Sequence, residues 1–151
     1  MKKPNYISPG HFSTSFSDGV LRSKEFNDIY FSADNGVNES NYVYIEGNNL
    51  SHRLLNSQHF TISELGFGTG LNFLLAWKLF DRVNSGKGYL DYISIEGFPL
   101  KKNLIRKVHS KFPELSKYSN QLLISLPPLW SGIHRIHLNN GKIRLTLIYE
   151  D

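Results

Sequence analysis

The chain has 151 residues, 40% of them hydrophobic, enough for one domain with a real core and too apolar for a disordered chain. It contains no cysteine, which excludes disulfides and cysteine-ligated zinc and makes a reducing, cytoplasmic setting the simplest expectation. With 17 Lys+Arg against 13 Asp+Glu the net charge is +4, mildly attractive to polyanions such as RNA but equally the mark of a solvated lysine-rich surface.

The first residues, Met1-Lys2-Lys3-Pro4, are basic without the apolar run of a signal peptide. No segment reaches the roughly 18 apolar residues of a membrane span. The expectation is a soluble, unexported protein with no membrane partner. Residues 1–24 are rich in Ser, Gly, Pro and Asn and read as irregular structure lying over a core. Two β-prone clusters follow, Ile29-Tyr30-Phe31 and Tyr42-Val43-Tyr44-Ile45, around the turn-prone Asp34-Asn35-Gly36, and predict a hairpin-like extension. Ser51 to Asn56 reads as a short helix.

From Phe60 the pattern becomes that of a core. "FTISELG" is a short strand, and "LNFLLAWKLFDRV" is apolar around most of its circumference, as in a buried helix. "YLDYISIEG" alternates as a second strand and ends on Glu96. After Pro99, Leu100, Leu104, Ile105, Val108 and Phe112 recur at near-helical spacing with lysines and arginines between them, an amphipathic helix with a basic outer face. Glu114 to Leu126 is a further helical or irregular stretch before Pro127-Pro128. "RIHLNNGKIRLTLIYED" carries two β-prone runs around Asn139-Asn140-Gly141, a hairpin signal. Strand, glycine loop, helix, strand, helix, strand is the alternation of an α/β domain with a parallel sheet. The expected division is an extension over residues 1–59 feeding one domain over 60–151.

Between the first core strand and its helix stands "ELGFGTGLNF", Glu64 to Phe73. Glycine lacks a Cβ, so such a loop can take positive φ and approach a ligand closely, while the free N–H groups of the helix start face it. Open α/β sheets bind ligands at this place. The spacing is G-x-G-x-G over Gly66, Gly68 and Gly70, one residue tighter than the dinucleotide fingerprint, and no Gly-Lys-Ser/Thr follows to make a P-loop. Glu96, 26 residues after Gly70, offers two acceptor oxygens suited to vicinal hydroxyls; the competing reading is a solvated strand-end acid. His134 and His137 have the spacing of a metal pair, but in a strand an offset of three sends side chains to opposite faces, so no metal is expected.

E-x-G-x-G-x-G resembles the first motif of class I S-adenosylmethionine-dependent methyltransferases. "FNDIYFSADNGVNESNYVYIEGNNL", "ELGFGTGLNFLLAW", "ISIEGFPLKKNL", "FPEL" and "GIHRIHLNNGKIRLTLIYED", in that order, resemble the methyltransferase half of the bifunctional MnmC family of tRNA wobble-uridine enzymes, from about Phe26 to Asp151. The resemblance implies a Rossmann-like sheet, of which this chain holds the first three strands, with a β-rich extension and a hairpin insertion. It implies methyl transfer from S-adenosylmethionine to the aminomethyl group of 5-aminomethyl-2-thiouridine in tRNA; nothing here resembles the family's FAD domain. It assigns Glu64, Gly66, Gly68, Thr69 and Gly70 to the methionine end of the cofactor, Glu96 to the ribose and Asp151 to the adenine. Asp28, Tyr30, Phe31 and Glu46 match its N-terminal motifs and would border the substrate entrance. For Tyr30 and Phe31 core packing competes with that role, as turn or capping roles do for Asp28 and Glu46.

The family's substrate-handling acid follows a fourth strand, beyond Asp151. The resemblance therefore implies no catalytic residue in this chain and an open edge on the first core strand. Three histories fit: half of a split enzyme whose C-terminal half is separately encoded, a non-catalytic remnant that keeps cofactor or tRNA affinity, or a stretch of a longer protein.

Overall fold

A computed structural model describes residues 14–17, 20–23, 28–29 and 36–150. Its main sheet has four strands in the order β4-β5-β7-β6, with β4 (His59–Leu65), β5 (Tyr89–Glu96) and β7 (Ile143–Tyr149) parallel and β6 (Gly132–Leu138) antiparallel to β7. A smaller antiparallel sheet holds β1 (Thr14–Ser17), β2 (Val20–Ser23) and β3 (Asp28–Ile29). The stretch read as irregular thus contains a strand pair, Thr14 to Ser23 joined in register. Its polar composition hid it, because an antiparallel pair needs backbone pairing more than apolar side chains.

The second β-prone cluster is a larger departure. Gly36–Ser40 form α1, and Asn41–Glu46, which includes Tyr42-Val43-Tyr44-Ile45, form a π-helical turn closed by the Gly47 N–H donating to the Tyr42 carbonyl at 3.0 Å. Aromatic and β-branched residues favour strands only where a pleated surface is there to receive them. Here a helical path buries Ile45 and carries the Tyr44 hydroxyl to within 2.7 Å of the Tyr92 hydroxyl, while Tyr42 and Val43 face solvent. Packing overrides propensity. The other half of the expected hairpin, Tyr30-Phe31, and its turn at Asp34-Asn35 lie outside the described residues.

The remaining elements follow the pattern in the chain. Leu50–Leu54 form α2, one residue ahead of the expected start. Leu71–Asn84 form α3, whose buried residues include Phe73, Leu74, Trp77 and Phe80. Lys102–His109 form α4, a 3-10 turn spans Pro113–Leu115, and Ser116–Ser125 form α5. Asn139, Asn140 and Gly141 all take positive φ at the β6–β7 turn, where asparagine and glycine carry the smallest steric penalty.

Among the described residues, helices cover one face of the sheet and none covers the other. Ile62, Leu90, Tyr92, Ile143, Leu145 and Leu147 are buried on the first, where Phe73 of α3 meets Tyr92 edge-on at 5.1 Å and Trp77 in turn meets Tyr118 of α5 at 5.1 Å. The alternate residues Leu65, Tyr89, Ile95 and Ile133 lie on the second face and are exposed. Among the described residues no strand pairs with the outer edge of β4. No described helix is long and apolar enough to cross a membrane.

Candidate functional site

The carboxyl ends of β4 and β5 lie side by side, Glu64 opposite Ser94 and Leu65 opposite Ile95. Beyond them the chain turns twice, at Gly66–Gly70 into α3 and at Gly97–Lys101 into α4. Gly66, Gly68 and Gly70 all have positive φ (82°, 54° and 79°), so the loop's path demands glycine. At Gly70 space is also short: a Cβ there would stand 2.7 Å from the Phe67 ring. Phe67 is buried against Phe73, so the loop's middle is anchored in the core while its glycines remain at the strand ends.

Glu96 joins the two turns. Its Oε2 accepts from the Gly68 N–H at 2.7 Å and its Oε1 from the Phe98 N–H at 2.7 Å, and the side chain is buried. Each oxygen retains a lone pair after these bonds, so the carboxylate can still accept from two further donors. The alternative of a solvated strand-end acid does not match this burial.

Glu64 is the second acid. Asn72, in the first turn of α3, donates to its Oε1 at 3.1 Å, while Oε2 is buried without a hydrogen-bond partner. Burial pushes its pKa up; Asn72, Tyr92 and Ser94 pull the other way, and the nearby charge of Glu96 adds to the rise. The Tyr92 and Ser94 hydroxyls are thus close enough to favour the anion. Burial also raises the pKa of Tyr44 and of Tyr92, keeping both hydroxyls protonated. A buried carboxylate oxygen with acceptor capacity to spare, at the mouth of a positive-φ glycine loop, is fitted to a cationic or hydrogen-donating ligand group.

Glu64, Gly68, Thr69, Gly70 and Glu96 therefore come together, and Gly66 continues β4 by donating its N–H to the Ile95 carbonyl at 2.8 Å. Glu46 ends the π-helical turn and is exposed. Asp28 lies in β3, paired with Ser23 in the smaller sheet. Tyr30, Phe31 and Asp151 fall outside the described residues. His134 donates to the Trp130 carbonyl at 2.7 Å and packs on Tyr149, whereas His137 is exposed and lines a cavity with Asn139 and Asn140. The two histidines point apart, and the described residues hold no cluster of three or more potential metal ligands.

Sequence reasoning passed over three participants. Asn72 stood inside the quoted glycine stretch without a role assigned to it, and Tyr92 inside the second strand. His109 did leave a trace: it stands four residues after Ile105, on the apolar face of α4, where a titratable ring needs a partner. A cavity of ≈ 440 Å³ opens nearby between Leu100, Lys102, Pro127 to Leu129 and Tyr149, lined by none of the expected residues.

This is a Rossmann-like α/β fold with its glycine loop at the end of the first core strand. A solved structure, MNMC2 from Aquifex aeolicus, matches it with a TM-score of 0.64 at 20% identity, over 93% of this chain and 43% of that one. In sequence the chain is similar to part of the MnmC proteins. It is 45% identical over 139 residues to the tRNA 5-methylaminomethyl-2-thiouridine biosynthesis bifunctional protein MnmC of Legionella pneumophila (strain Philadelphia 1), covering 89% of this chain and 21% of that protein. The MnmC proteins of Marinobacter nauticus and Pseudomonas fluorescens are 42% and 41% identical, over 90% and 88% of this chain and 22% and 21% of theirs. The chain thus spans about a fifth of the length of these relatives. No protein-family model matches it.

Proposed function

We propose that this chain holds S-adenosylmethionine for tRNA wobble-uridine modification, as part of an enzyme that methylates the aminomethyl group of 5-aminomethyl-2-thiouridine. The observation that carries the reading is the Glu96 carboxylate bonded to the Gly68 N–H, which places an acid with spare acceptor capacity against the positive-φ loop. The residues fit the cofactor's groups: the orphaned Glu64 oxygen suits an ammonium, the loop a closely approaching methionine backbone, and Glu96 the ribose hydroxyls. Asp151 is proposed for the adenine. When bound, the cofactor supplies an electrophilic methyl group. The chain's own residues bind and orient it, and alignment with the acceptor amine is what such positioning contributes to rate. An amine attacks only when neutral, so a proton acceptor is also required; none of residues 36–150 is assigned that task. tRNA is the proposed macromolecular partner, a separately encoded C-terminal half a further one, and the cytoplasm the setting.

The uncovered sheet face favours a second reading, a fragment that binds cofactor or tRNA without turnover. Incubation of the chain alone with tRNA bearing the aminomethyl wobble uridine separates the two: methyl transfer would exclude the second. The cofactor assignment itself is tested by calorimetric titration with S-adenosylhomocysteine and with NAD. Binding of the former and not the latter is expected; binding of NAD alone overturns the proposal.

A further inference from the structure

We infer that His109, remote in sequence from the glycine loop, is a positioning residue that sets the loop's shape from behind. The inference rests on the reading of that loop as the cofactor cradle. His109 is buried at 4% exposure and both ring nitrogens are engaged. Nε2 lies 2.8 Å from the Thr69 carbonyl oxygen and Nδ1 lies 2.7 Å from Ser119 Oγ. A carbonyl only accepts, so Nε2 carries the hydrogen; Nδ1 is then the acceptor, and Ser119 donates to it. One tautomer satisfies both bonds. Burial pushes the imidazole pKa down, with the Thr69 bond opposing, and the ring stays neutral in that form.

The bond falls on the weakest point of the loop. Thr69 stands between Gly68 and Gly70, two positive-φ glycines that offer little resistance to rotation of the intervening peptide. The Thr69 carbonyl and the Gly70 N–H belong to one peptide group. Its N–H donates to the Phe67 carbonyl at 2.8 Å and its carbonyl accepts from His109, so the plane is pinned at both ends. Without the imidazole only one end is held, and the peptide is free to turn. Ser119, on α5, holds the ring from the other side, so the loop's geometry is referred to α4 and α5 as well as to the strands that flank it.

The test is NMR-detected amide hydrogen exchange together with calorimetric titration of S-adenosylhomocysteine, on the whole chain and three variants. In His109→Leu the Gly68 and Gly70 amides should exchange about tenfold faster while Leu90 and Leu145 in the sheet keep their protection, and the ligand should bind about tenfold more weakly. His109→Gln, which carries an N–H donor at about the length of Nε2, should restore both. Ser119→Ala, a milder change, should loosen the same two amides to a smaller degree. Unchanged loop exchange in His109→Leu, or a rise shared equally by the sheet, overturns the inference; if that variant does not fold, unchanged loop exchange in Ser119→Ala overturns it. Should no protein bind the ligand, the cofactor reading fails, and the exchange rates still decide whether His109 sets the loop.

Discussion

Two titratable side chains at the loop, the half-buried Glu64 and the buried His109, respond to pH with opposite signs. Glu64, with its folded pKa raised by burial, holds a proton more tightly folded than unfolded. Stability falls as pH rises from the ordinary carboxylate range through that raised value, because the folded state must then bury a charge. For His109 the folded pKa is lowered, so between it and the ordinary value of 6.5 the unfolded chain binds more protons. That contribution is complete above 6.5 and is lost as pH falls through the lowered value. Urea midpoints measured across pH should therefore climb toward 6.5 in the unmodified chain, and His109→Gln should remove that part of the climb while Glu64→Gln leaves it in place. A climb that persists in His109→Gln would assign it to another group. The chain announced Glu64 through its place in the glycine motif. His109 left only its place on the apolar face of α4, because its partners, the Thr69 carbonyl and Ser119, lie 40 and 10 residues away.

At the level of elements, three ends meet on one side chain at the far side of α3. Asn84, buried at the last position of α3, donates through Nδ2 to the Leu54 carbonyl at 2.9 Å and to the Ser57 carbonyl at 2.7 Å, and its Oδ1 accepts from the Gly88 N–H at 2.7 Å. It ties α2 and the entry to β4 to the entry to β5. Asn84→Ala strands the Ser57 carbonyl and the Gly88 N–H, while the Leu54 carbonyl keeps the Ser57 N–H at 3.3 Å; since a buried unsatisfied group costs about 1–3 kcal/mol, the loss should be on the order of 3 kcal/mol by urea denaturation. A loss under about 1 kcal/mol would mean that water replaces the amide there. Nothing near Asn84 in sequence foretells this role. What could be read were the elements themselves where period and punctuation agreed: α3 from its apolar circumference, β5 from its alternation, the β6–β7 turn from Asn139-Asn140-Gly141. Tyr42 to Ile45 misled because their strand-like composition serves a helical turn, whose warrant is a 2.7 Å contact with Tyr92, 48 residues on.

For the whole molecule the governing fact is asymmetry. Helices cover one face of the main sheet, and the other presents Leu65 at 85% exposure and Ile133 at 72%, among polar residues that include Asp91 paired to His59 and Arg144. The outer edge of β4 is unpaired among the described residues, and an open edge beside exposed apolar residues is a template for strand addition. The chain in isolation should self-associate, and a double substitution Ser63→Lys and Leu65→Lys, which puts charges on the edge strand's exposed positions, should shift it toward monomer in sedimentation velocity. Monomeric behaviour of the unsubstituted chain at tens of micromolar, on the order of the levels at which exposed edges associate, would contradict this.

Glu96 sets the timing of order at the site. Because one carboxylate already fastens the Gly68 and Phe98 amides, the two turns that would flank a ligand are registered to each other during folding. The entropy of arranging them is settled before any ligand arrives, so binding strength need not be spent on closing the turns. A cleft prepared in this way discriminates by fit to a fixed outline, and an arriving molecule is accepted or refused as it stands.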